Sequence, residues 1–253
     1  MLLWPRHVIC AHAGFKVGEF GQYLMAKRYI FFLPILFFAL SAHAQVALNY
    51  RQYGLGVGAS YIRGYTDVNI QNNHFAQYVN FTYYLTAYIP LTAEIQKGTL
   101  SGGSLTLDPS GRVYNNNYGA LIFHGDYQAG QFIDNDDFFS GLLKNFYLGT
   151  GFGLISNNNA VQRTAPTDPN YVFPGQDNSL ELMVPIRFGY EIKIMNSFGE
   201  PFLRIDLGYV HNVVFGDGLD GYTDPPKSFK NNFPDQFRQI SFGIKFDFGK
   251  REQ

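Results

Sequence analysis

The chain has 253 residues, a net charge of −1 and 15% charged residues, a balance that leaves no basic footprint for a nucleic-acid partner. Its single cysteine, Cys10, and single tryptophan, Trp4, both precede Met25, so a protein read from Met25 has no disulfide, thiolate nucleophile, Cys-bound metal or N-terminal lipid-bearing cysteine. Aromatic residues reach 17% beside 27 glycines, a mixture that suits strands and turns better than helices.

Residues 1–24 show no repeat, apolar period or targeting pattern and are read as upstream sequence ahead of the true start. From Met25, the stretch MAKRYIFFLPILFFALSAHAQ has the three parts of a secretory signal: Lys27 and Arg28, an apolar run from Tyr29 to Leu40, and small residues ending Ala42-His43-Ala44. The run is about a dozen residues long and contains Pro34, short of the roughly 20 a spanning helix needs. Cleavage after Ala44 leaves 45–253 as one domain beginning at Gln45.

Eight strands follow, each recognised by alternation with period two. Strand one, 53–64, sets Tyr53, Leu55, Val57, Ala59 and Tyr61 against Gly54, Gly56, Gly58 and Ser60. Strand two, 75–89, sets Val79, Phe81, Tyr83 and Leu85 against Tyr78, Asn80, Thr82 and Tyr84, and a two-residue turn at Pro90 leads to strand three, with Leu91, Ala93 and Ile95 against Thr92, Glu94 and Gln96. Strand four, 118–129, opposes Leu121, Phe123 and Tyr127 to His124, Asp126 and Gln128. Asp136 or Asp137 is placed to cap a short helical turn before strand five, 145–155, whose Phe146, Leu148, Phe152 and Leu154 face away from Gly149, Gly151 and Gly153. Strand six, 180–194, is long for a soluble sheet: all its even positions are apolar, while Glu181, Arg187, Glu191 and Lys193 fall on odd ones. Strands seven (202–214) and eight (237–248) repeat the pattern, with Arg204 and Asp206, then Gln239, Ser241, Gly243, Lys245 and Asp247, on the polar side.

A soluble sheet would turn the apolar face inward and leave a glycine-rich, charge-poor face to water. A membrane barrel inverts this, with apolar residues to lipid and small or polar ones inward, and closure pairs every backbone group. Long and short connections alternate along most of the chain, the fourth excepted, as expected for outer-membrane barrels with short periplasmic turns. The expected fold is therefore all-β, an eight-stranded antiparallel transmembrane β-barrel with both termini in the periplasm.

Two segments resemble known patterns. Ser241–Phe248, SFGIKFDF, is similar to the barrel-assembly signal of outer-membrane proteins, with Ser241, Gly243, Phe246 and Phe248 in its polar, glycine and two apolar roles. The tail 249–253 departs from it, since the aromatic often ends the chain. Leu85–Gly103, LTAYIPLTAEIQKGTLSGG, resembles the strand-turn-strand segment of the outer-membrane β-barrel family of the Bacteroidota. These resemblances imply outer-membrane lipid and the barrel-assembly machinery as partners, beside an extracellular or periplasmic protein the sequence does not name. They imply no shared chemistry.

The inward polar residues Glu94, Asp126, Arg187, Glu191, Arg204, Asp206 and Lys245 read as an ion-pair network filling the lumen, since a buried charge needs a partner. The six-residue turn before strand seven puts Glu191 across from Arg204. A proton or ion path is the competing reading of the same residues. No catalytic set, cofactor site or metal site is expected. His124 lies beside Asp126, and His211 falls outward near the rim, where a lipid A deacylase barrel would keep its histidine, but Val213 stands where a serine would be needed. Asp217, Asp220 and Asp224 lie close together in DGLDGYTD, whose Asp and Gly are also common turn formers. The expected role is structural or interactive, with exposed loops and a closed lumen. A narrow passive channel and, further off, a lipid-modifying enzyme are the alternatives.

Overall fold

The computed structural model describes residues 49–108, 110–133, 137–223 and 234–252. The segments 1–24 and 25–44, with Cys10 and Trp4, lie outside the described residues, as do Asp136 and Asp224. In chain order the elements are β1 (Tyr50–Tyr65), β2 (Asn73–Thr86), β3 (Ile89–Gly103), β4 (Val113–Gln128), a 3-10 turn at Ala129–Gln131, α1 (Phe138–Leu143) and β5 (Phe146–Val161). Next come a small hairpin of β6 (Thr164–Ala165) and β7 (Asp168–Val172), then β8 (Asn178–Met195), β9 (Pro201–Phe215) and β10 (Gln236–Glu252). Eight of these strands close into one barrel, in the order β1-β10-β9-β8-β5-β4-β3-β2, with every neighbouring pair antiparallel.

Alternation sets the two faces. On β8, Ile186 and Phe188 are 50% and 55% exposed while Arg187 between them is 8% exposed. The same inversion holds around the ring, where Leu55, Phe81, Ile95, Phe123, Phe152, Leu207 and Phe242 all point out. Most strands run past their expected ends, although β2 stops at Thr86, short of the expected 89. The outer positions of β3 and β4 become Lys97, Thr99, Asn115 and Asn117, so apolar contrast is lost although pairing continues, as in Thr99 with Asn117. The connections shorten accordingly, to 66–72 after β1 and 104–112 after β3. The turn after β2 is Ala87–Tyr88, and Pro90 lies inside β3 opposite Tyr84. Asp137 holds the N-cap position of α1, but its side chain makes no capping hydrogen bond.

Pro185 interrupts one ladder. The β5–β8 register runs through Thr150 with Ile186 and resumes at Gly153 with Met183. Proline has no N–H to donate there, and Thr150 Oγ1 donates instead to the Pro185 carbonyl at 2.9 Å.

The interior has two parts. At the end away from the termini, Ile62, Leu100, Tyr114, Tyr118, Ile122, Ile155, Met183, Val214 and Phe237 form an apolar core that the sequence reading did not expect. Leu219 and Tyr222, from the β9–β10 connection, complete it. Nearer the termini the interior is charged.

Candidate functional site: the charged interior and the loop that covers the far end

Glycines on β1 and β5 create the room for the charged layer. A Cβ on Gly56 would press on Asn80 and Lys245, one on Gly58 on Tyr78, and one on Gly149 on Asp126. Long side chains from across the barrel occupy the space that those two strands leave.

Arg204 is fully buried at the centre of the first group. Its Nη1 donates to Glu191 Oε1 at 2.8 Å and its Nε to Asp247 Oδ2 at 2.6 Å, with the guanidinium 4.1 Å from the centre of the Tyr84 ring. Tyr84 O–H donates to Asp247 Oδ1 at 3.1 Å. Lys245 Nζ lies 2.6 Å from Glu191 Oε2 and 3.4 Å from Asp206 Oδ2, and Tyr147 O–H donates to Asp206 Oδ1 at 2.9 Å. Gln128 links Glu191 to Lys193, donating to the first at 2.9 Å and accepting from the second at 2.6 Å.

A second group joins Arg187 Nε to Asp126 Oδ1 at 3.0 Å, with His124 Nδ1 3.3 Å from the same oxygen. In both groups buried carboxylates meet buried cations. Of the seven predicted residues, Arg204, Glu191, Lys245 and Asp206 come together, and Arg187 meets Asp126. Glu94 is buried opposite Asn80 and makes no ion pair among the described residues. Asp247, Lys193 and the tyrosines Tyr84 and Tyr147 were missed as members. Asp247 was legible as the next inward position after Lys245; the tyrosines carried no signal, since an inward tyrosine reads as bulk.

The register of the Glu191–Arg204 pair needs correction. Glu191 is paired with Asp206, and Lys193 with Arg204. The tight turn folds around Asn196, whose Oδ1 accepts from the N–H groups of Phe198 and Glu200, and a bulge at Phe202 shifts the ladder by a further residue. The arginine reaches Glu191 along a diagonal.

On β10, Ser241 and Gly243 face inward, Phe246 points out, and Phe248 packs 5.9 Å from the Tyr53 ring. Both edges of β10 are paired in the closed ring, with β1 and β9. His211 Nε2 lies 2.9 Å from Gln236 Oε1.

At the far end, residues 216–223 fold inward. Asn116 Nδ2 donates to the Leu219 carbonyl at 2.9 Å, Asn159 Nδ2 to that of Gly218 at 2.8 Å, and Leu219 N–H to Asp235 Oδ2 at 3.1 Å. Tyr222 O–H meets the Gln162 and Val113 carbonyls, each at 2.9 Å. Among the described residues no group of three or more His, Cys, Asp or Glu side chains is arranged to hold a metal ion.

Asp235 and Asp220 are both buried in this packing. Burial, reinforced by Asp220, pushes the Asp235 carboxyl up to about 9, and burial raises Asp220 to about 6. When the segment is released, both titrate near the ordinary carboxylate value, so the released form loses protons first as pH rises. The packing is therefore strongest in acid and weakens from about pH 4 until the pH passes about 9. Limited proteolysis within 216–223 is expected to accelerate from about pH 5 to about pH 9, with Asp235→Asn flattening the profile. Uniform protection across that range would contradict this account.

No protein-family profile matches the chain, and no curated protein matches it in sequence. Among solved structures it is similar to Neisserial surface protein A, at 12% identity and a TM-score of 0.40, over 78% of this chain and 97% of that one. It is similar to the outer membrane protein OprG from Pseudomonas aeruginosa at 11% identity and a TM-score of 0.40, over 79% and 98% of the two chains. The outer membrane protein AlkL, solved in lipid bilayers, aligns at 15% identity and a TM-score of 0.41, over 81% and 94%.

Proposed function

We propose that the chain is an integral outer-membrane β-barrel with a structural or interaction role, its lumen closed to ions, its termini in the periplasm and its longer connections outside. The observation that carries this reading is the inversion of the two faces. A girdle of exposed Leu, Ile, Val and Phe surrounds the barrel on every strand, while Arg204, Glu191, Asp206 and Lys245 are buried inside. Such a girdle far exceeds the apolar patch a soluble monomer exposes. Ring closure satisfies the strand edges, as a hydrocarbon solvent requires. The signal-like order from Met25 and the SFGIKFDF pattern support export and handling by the barrel-assembly machinery; N-terminal sequencing of membrane-extracted protein should read Gln45. The likeness of Leu85–Gly103 to the Bacteroidota barrels supports that lineage.

Both halves of the interior favour a closed lumen: ion pairs fill one and an apolar core with Leu219 and Tyr222 fills the other. Eight strands enclose only about enough room for side chains. The reading gives the protein no catalytic role, since His211 engages Gln236 and His124 sits against Asp126 inside the wall. Purified protein in planar bilayers should show no steady conductance. Resolved single-channel steps that change in Arg187→Gln or Arg204→Gln would replace this reading with the channel.

A further inference from the structure

The closed ring places arginine directly opposite arginine twice across β1 and β10. Near the termini the pair is Arg51 with Arg251; at the far end it is Arg63 with Arg238. Like charges opposed across a ladder repel, so each pair calls for an anion. At the terminal end the protein supplies one. Glu200 lies between the two guanidinium groups, with Oε2 3.5 Å from Arg51 Nε and Oε1 2.7 Å from Arg251 Nε.

At the far end no carboxylate among the described residues plays that part. Among the described residues, neither Arg63 nor Arg238 forms an ion pair, and Arg63 Nε is buried without a hydrogen-bond partner. Arg238 rests on the Tyr65 ring at 5.2 Å, which orients it without neutralising it. His211 continues the row, opposite Arg238 on β9. All three occupy the outward face, and the next outward positions toward the middle of the barrel are Tyr61, Ile240 and Tyr209, with Phe75 edge-on to Tyr61 at 5.4 Å. The row thus sits where an aromatic, lipid-facing wall gives way to the polar rim.

We propose that Arg63 and Arg238 clasp a phosphate of a lipid in the outer leaflet, with His211 beside it and the acyl chains lying down along Tyr61, Ile240 and Tyr209. Strands about 4.8 Å apart bring the two guanidinium forks to the spacing of one phosphate group. A lipid phosphate fits better than a free one because the apolar wall begins one outward position below. This inference rests on the membrane reading above.

The test uses membrane-extracted protein in phosphatidylcholine nanodiscs doped with phosphatidic acid, a phosphate-monoester lipid, and counts the phosphatidic acid retained per barrel by native mass spectrometry. Insertion of each variant is scored first, by its heat-modifiable mobility. The R63Q/R238Q double variant should lose retention by about tenfold or more, since two charge-assisted contacts go. R63K/R238K keeps the charges and the fold and should weaken it by only about a few-fold through loss of the forked geometry. R51Q should leave it unchanged. Undiminished retention in an inserted R63Q/R238Q barrel would overturn the site, and so would complete displacement of phosphatidic acid by millimolar inorganic phosphate, which would mark a free-anion site. A wild-type protein that fails to insert would count against the membrane reading instead.

Discussion

Replacing Arg204 with glutamine is expected to cost about 3–5 kcal/mol of barrel stability, because the change leaves buried carboxylates without their cation. Glu191 keeps Lys245, but Asp247 keeps only the Tyr84 hydroxyl and a neutral amide. Glu191→Gln should cost less, since Arg204 still holds Asp247 and Lys245 still holds Asp206. The double variant should cost less than the sum of the two singles, because each removal relieves part of the imbalance the other creates. Urea unfolding from lipid vesicles, followed by far-ultraviolet circular dichroism, gives all three values. An Arg204→Gln barrel within about 0.5 kcal/mol of wild type would show that the charged layer is hydrated, not buried.

A second large effect is expected on the opposite face. Ile186 and Phe188 lie midway along β8 and point out, so arginine at either should cost about 2–4 kcal/mol in a bilayer. Gly149→Ala, on the inner face, fails for a different reason: its new methyl group would meet Asp126 Oδ1 and the Gly125 carbonyl. The first penalty depends on lipid and should shrink when the barrel is moved into detergent with a polar surface; the second should not. Equal tolerance of arginine at Ile186 and at inward Pro185 would argue for a protein that stands in water.

Period-two contrast made the eight strands and their faces readable, because an exposed apolar face outside and a buried polar face inside put opposite chemistries on adjacent residues. Where both faces meet similar surroundings, the contrast disappears. The outer ends of β3 and β4 carry Lys97, Thr99, Asn115 and Asn117 toward solvent, and alternation could not follow them. The apolar core at the same end was hidden for the complementary reason: Ile122, Ile155 and Val214 are inward yet apolar, so beside Leu121, Leu154 and Val213 they read as bland runs. Register was the least legible quantity. A turn's length fixes pairing only if the strands leave it regularly, and the bulge at Phe202 does not appear in composition or period. Most ion-pair members could be named, Asp247 excepted, but not who holds whom, since long side chains reach diagonally across a barrel this narrow.

The pairing of β1 with β10 bears on how such a chain can come into being. The contact that closes the ring joins the first described strand to the last, from Tyr50 with Glu252 to Tyr65 with Gln236. A growing chain that has not yet delivered Gln236 has β1 and β9 as bare edges, each with a row of free amides and carbonyls ready to pair with another copy. Closure over so long a span also carries a large loop entropy and a slow search. Closure therefore waits on β10, and the emerging polypeptide has to be kept extended and separate from its siblings until that seventeen-residue strand arrives.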